Sequence, residues 1–156
     1  MGKQDWRYLL FLIVSHHPPE RLHRTIHLSF RGKTVYLCSR CTGTGLGIIG
    51  VFAANIFGVG FPIGFYLPLI SFLPLAATVH WFTQSAKLRE SKNGIRICSG
   101  FLLGIAEALL LLSIINGFLV TFLIGLAIVF AYAFSIYLIA AKTKCLDIYL
   151  KEFNQI

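Results

Sequence analysis

The chain has 156 residues, 56% of them hydrophobic and 13% charged, with a formal net charge of +8. A soluble domain of this length does not carry so little polar surface. The basic excess does not indicate nucleic acid either, because the Lys and Arg fall in short blocks between long apolar stretches, where they set topology and meet anionic lipid headgroups.

All Lys and Arg lie within residues 3–40, 87–96 and 142–151, and residues 41–86 and 98–141 contain none. One crossing of a bilayer takes roughly 20 apolar residues, so each cation-free stretch can cross twice. The sequence therefore predicts an all-α integral membrane protein of four transmembrane helices in two hairpins, with spans near 42–58, 65–86, 98–116 and 118–141. Residues 1–40 are expected to form a cytoplasmic or interfacial His/Cys-rich segment, partly helical, and residues 142–156 a cytoplasmic tail. Loops rich in Lys and Arg stay in the cytoplasm, which places both termini there and makes the plasma membrane the expected location. The outer turns are then Gly58-Val59-Gly60-Phe61-Pro62 and Asn116-Gly117, both rich in residues that break helices or tolerate positive φ.

Along the chain, the apolar run Tyr8–Val14 is too short to span and should lie in the interface or on the bundle. Ser15-His16-His17-Pro18-Pro19 is not a small-residue cleavage site, so this run is not read as a signal peptide. Pro18-Pro19-Glu20 resembles a helix start, which predicts a short amphipathic helix from Glu20 to about Phe30 with Leu22, Ile26 and Phe30 on one face. Thr34–Leu37 should be a brief extended piece leading to Cys38-Ser39-Arg40-Cys41-Thr42-Gly43 at the entrance of the first span. In that span Gly43, Gly47, Gly50 and Ala54 recur on one face, as Gly100, Gly104 and Ala108 do in the third, and both stripes are expected to be packed seams. Gly45–Gly50 also fits a dinucleotide-binding glycine pattern, but no βαβ strand precedes it, so packing is the better reading.

Four polar groups fall inside the spans: Asn55, His80, Gln84 and Glu107. Intramembrane ionisable residues are costly and mark candidate sites, which makes His80 and Glu107 the candidate acid–base groups. Cys38 and Cys41 form a C-x-x-C near His16, His17, His23 and His27. Two thiolates with imidazoles suit a tetrahedral ion, zinc by default, with His16 the favoured third ligand and His17 or His80 the fourth. His23 and His27, at i and i+4, could also clasp an ion. Two alternatives stay open. A thiol oxidoreductase would use Cys38 and Cys41, their pKa lowered by the helix N-terminus and Arg40. A small carrier of metal or anion would use Glu107, His80 and Asn55 as a polar path.

His16-His17-Pro18-Pro19-Glu20-Arg21, the Cys38–Gly43 block, Leu73-Pro74 leading through His80 to Thr83-Gln84, and Arg89-Glu90-Ser91 with Asn93, Arg96 and Gly100 together resemble the prokaryotic predicted membrane proteins known as domain of unknown function 2085. The chain departs from that pattern at Ser15, where the family has Cys, and at His80, where it has Asp. The resemblance implies no reaction. It does imply that Arg40, Gln84, Arg89, Asn93 and Arg96 gather with the thiols at the inner membrane surface, where they could hold an anionic lipid, a phosphorylated isoprenoid or a small oxyanion. H-E-x-x-H, G-x-S-x-G and phosphate-loop signatures are absent from the sequence.

Overall fold

The computed structural model of the protein describes residues 22, 24–30, 32–85 and 92–142. Strands β1 (Thr25–Phe30) and β2 (Lys33–Cys38) form an antiparallel hairpin in which Ile26 faces Leu37 and Leu28 faces Val35. This corrects the helix expected over Glu20–Phe30 in its part from Thr25 onward; Glu20, Arg21 and His23 lie outside the described residues. Leu22, Ile26 and Phe30 fit a four-residue spacing, but Ile26, Leu28 and Phe30 also alternate with Thr25, His27 and Ser29, the two-residue period of a strand. A complementary alternating strand and Gly32 at φ 74° in the turn decide between the two.

Helix α1 (Ser39–Ile56) follows β2 without a linker. The Thr42 and Thr44 hydroxyls donate to the carbonyls of Cys38 and Arg40 one turn back, at 3.0 and 3.1 Å, so neither leaves a bare polar group. α1 ends at Gly58, φ 76°, whose N–H donates to the Asn55 carbonyl while that of Val59 reaches Ala54. This is a Schellman ending, in which a left-handed glycine satisfies the last carbonyls. A short 3₁₀ turn (Ile63–Phe65) leads into α2 (Tyr66–Ser85), and α3 (Asn93–Ile115) ends as α1 does, with Gly117 at φ 77° and Phe118 donating to Ser113. α4 (Leu119–Lys142) closes the bundle.

α1 and α3 pack backbone to backbone. The face of Gly43 meets the Ile97 carbonyl, Gly47 that of Phe101, Gly100 that of Arg40 and Gly104 that of Thr44. A Cβ at any of the four would overlap the opposing carbonyl, so each glycine presents a Cα–H there instead. The pairings advance together along both helices, which therefore run parallel. The seam follows the i, i+4 rows Gly43-Gly47-Val51 and Gly100-Gly104-Ala108, all six buried. Gly50, expected in the same stripe, is exposed with no atom near its face, because it is displaced from that row by one residue.

Beyond the seam, Val51, Tyr66, Ile70, Ala108, Leu109 and Leu112 form the core at the end of the bundle away from the hairpin. The remaining helical surface is apolar and exposed, as at Ile49, Phe72, Val79, Phe130 and Phe134. Such a surface suits hydrocarbon rather than water. Three segments, Ile63–Gln84, Asn93–Ile115 and Leu119–Lys142, are long and apolar enough to cross a membrane. α1 does not reach that standard: it is the shortest of the four α-helices among the described residues, at 18 residues, and its first turns carry Ser39, Arg40, Thr42 and Thr44.

Candidate functional site

The hairpin end of the bundle gathers polar chemistry. Ser39 Oγ donates to the Arg24 carbonyl at 3.0 Å, and Asn93 Nδ2 donates to the Thr25 carbonyl at 3.3 Å. The base of the hairpin is thereby fixed to the first turns of α1 and α3. Cys38, buried, is the last residue of β2, and Cys41, exposed, lies in the first turn of α1; both are free thiols.

Among the described residues no three His, Cys, Asp or Glu side chains stand close enough to hold a metal ion. His80 therefore does not complete a site with Cys38 and Cys41. His27 stands on a strand, its ring edge-on to Tyr36 at 4.8 Å and its Nε2 donating to the Leu22 carbonyl at 3.3 Å, so the helical i, i+4 clasp with His23 has no basis. His16, His17 and Arg89 lie outside the described residues.

Instead His80, 6% exposed on α2, meets Arg40, reached from α1 across the bundle: Nη2 of Arg40 donates to Nδ1 of His80 at 3.0 Å. A guanidinium can only donate, so this nitrogen carries no proton and the imidazole proton is on Nε2. Arg40 also lines a half-open cavity of about 320 Å³ between α2, α3 and α4. Its walls are largely apolar, formed by Ile70, Ala77, Leu103, Ala106, Leu110, Val129 and Ile136. The polar exceptions are Arg40, Thr78, Trp81, Glu107 and Tyr132. Arg40 is the one cation in that lining and Glu107 the one acid.

Pro74, inside α2, also lines the cavity. Proline within a helix cannot donate to the preceding turn, and the carbonyls it frees must find partners elsewhere. Tyr132 of α4 donates its hydroxyl to the Ser71 carbonyl at 2.5 Å, inside the turn that Pro74 interrupts. That bond helps to hold α4, whose buried residues are Gly125 and Ala140 alone.

The other anticipated residues are more dispersed. Arg96 is buried in the first turn of α3, Gln84 is half-buried near the end of α2, and Asn93 is committed to the hairpin. Asn55 is exposed at the far end of α1, and neither it nor His80 is among the residues that line the cavity with Glu107. Trp81, Tyr132 and Thr78 were not singled out from the sequence. The signal for two of them was present: Ile70, Pro74, Ala77, Thr78 and Trp81 recur at three- and four-residue steps on one face of α2.

A family model described as predicted membrane proteins, DUF2085, matches residues 17–110. The chain belongs to this family. An uncharacterized protein of the archaeon Methanothermobacter thermautotrophicus is 36% identical over 101 residues, covering 64% of this chain and 86% of that protein. No solved structure matches the chain. The DUF2085 match includes Cys38, Arg40, Cys41, His80 and Glu107, whereas α4, with Tyr132, falls beyond it. The family signature thus covers the polar residues of the cavity on α1, α2 and α3 but not the helix that closes it.

Proposed function

We propose that this DUF2085 protein crosses the plasma membrane of a prokaryotic cell four times, with both termini in the cytoplasm, and binds an anionic membrane-associated molecule in the cavity beside Arg40. α1 supplies the fourth crossing. At about 1.5 Å per residue its 18 residues extend about 27 Å, close to the hydrocarbon thickness, and its seam with α3 shields the polar first turns. The observation that carries the reading is that Arg40, bonded to His80, lines an apolar cavity. A cation held in place among hydrocarbon walls favours a ligand with an anionic head and an apolar body, and about 320 Å³ is the lower end of the usual range for small-ligand sites. His80 here orients the guanidinium, and Glu107 is the candidate acid–base group facing the bound molecule.

Trp81 lines the same cavity and serves as a reporter. In a Trp6→Phe background, dodecyl phosphate carrying a terminal bromine should quench Trp81 saturably, and the equally tagged dodecyltrimethylammonium should not. Equal quenching by both would show an unselective greasy cleft and end the proposal.

A second reading rests on a separate observation, the C-x-x-C placed at the junction of β2 and α1, with Cys38 buried, Cys41 exposed and neither in a disulfide. Two thiols at that spacing, in the reducing cytoplasm that this topology implies, suit a zinc ion better than a disulfide. Cys38 and Cys41 would be two ligands, and His16 and His17 the candidates for the others. Bound there, zinc would clamp the N-terminal segment to the start of α1. Elemental analysis should find about one zinc per chain, lost in Cys38→Ser; an unaltered zinc content in that variant would exclude this site.

A further inference from the structure

The β-hairpin has two unlike faces. One carries the pairs Thr25–Cys38, His27–Tyr36 and Ser29–Thr34, and is in part buried or polar; the other carries Ile26–Leu37 and Leu28–Val35. On that second face Leu28 is 53% exposed and Val35 47% exposed, directly opposite one another. Two large aliphatic side chains paired on an exposed ribbon are out of place in water. The hairpin cannot swing away from the bundle, because β2 runs into α1 without a linker and Ser39 and Asn93 tie its base to the starts of α1 and α3. It therefore sits at the start of α1, which in the four-crossing reading is where that helix enters the membrane. Residues 21–33 contain Arg21, Arg24, Arg31 and Lys33 and no Asp or Glu.

We infer that the Leu28–Val35 face of the hairpin rests on the anionic surface of the bilayer, its aliphatic side chains in the headgroup–acyl boundary and the surrounding cations among lipid phosphates. The occupant is lipid rather than protein because two observations coincide. The apolar face is continuous with α1, which the four-crossing reading on which this inference rests takes into the membrane, and the segment around it carries charge of one sign, opposite to that of the cytoplasmic leaflet. This inference needs neither the Arg40 ligand nor zinc, and fails or holds independently of both.

The test places a reporter on each face in a chain whose Trp6 and Trp81 are Phe, reconstituted in phosphatidylcholine–phosphatidylglycerol vesicles. With Leu28→Trp, emission should be blue-shifted, largely lost when the lipids are brominated near the carbonyl end of their acyl chains, and insensitive to aqueous iodide. With Thr34→Trp, on the opposite face, iodide should quench and brominated lipid should not. Replacing phosphatidylglycerol by phosphatidylcholine should weaken the lipid quenching of Leu28→Trp. Val35→Trp should repeat the Leu28→Trp result and replaces that variant if it does not fold. Iodide quenching of Leu28→Trp equal to that of Thr34→Trp would overturn the inference. So would a blue shift without lipid quenching, which would mean that protein covers the face, or lipid quenching indifferent to phosphatidylglycerol.

Discussion

Gly104→Leu should cost the protein about 2–4 kcal/mol and leave little folded material in the membrane. The face of Gly104 lies against the Thr44 backbone carbonyl, and the backbone cannot move aside as a flexible side chain would. A leucine there drives α1 and α3 apart and removes the Cα–H···O contacts of Gly43, Gly47, Gly100 and Gly104 together, each worth about 0.5–1 kcal/mol. Because hydrocarbon surrounds the bundle, burial from water does not restore what is lost. Gly50→Leu is the control: it lies on α1, the partner helix in the seam, but with no neighbour on its face, so the change should be neutral or slightly stabilising through better helix propensity. Thermal unfolding in a mild detergent measures both. Equal losses in the two variants would mean that the seam does not hold the helices.

The second large effect falls on binding. Arg40→Gln should weaken the affinity for dodecyl phosphate about ten- to a hundred-fold, the size expected when a charge-assisted hydrogen bond of about 1.5–3 kcal/mol is lost. Arg40→Lys should recover only part of it, since an ammonium keeps the charge but lacks the planar fork that can engage His80 and an anion at once. Removing the imidazole by His80→Phe should weaken binding less than Arg40→Gln, because the cation remains and only its orientation is released. Titration of Trp81 quenching gives all three constants. A ranking in which His80→Phe is the most damaging would move the ligand from Arg40 to the imidazole.

What could be read from the sequence followed long-range, redundant signals. The gaps in the Lys and Arg distribution correspond to pairs of helices separated by Gly58 and Gly117 turns, and the glycine rows at four-residue spacing mark the α1–α3 seam. Where two periods competed, the reading failed: Leu22, Ile26 and Phe30 suit a helix while Ile26, Leu28 and Phe30 suit a strand, and the choice depended on β2 as partner. The same applies to Gly50, since steps of three and of four both look helical and only the packed helix shows which row is used. At the site, Arg40 and His80 could each be named as polar residues in costly places. Their partnership could not, because 40 residues separate them and it depends on how α1 and α2 stack. The cavity was less legible still, being made of ordinary apolar side chains and a loosely held α4 that only the assembled bundle brings together.

Native mass spectrometry of the protein extracted from its own membrane in a mild detergent tests the role of Arg40 most directly. The unaltered chain should carry one amphiphile of anionic mass signature per molecule, retained through gentle activation, and Arg40→Gln should arrive without it while remaining folded. The same adduct on both proteins at the same occupancy, or only zwitterionic lipid on either, would contradict a binding site organised by Arg40 and His80.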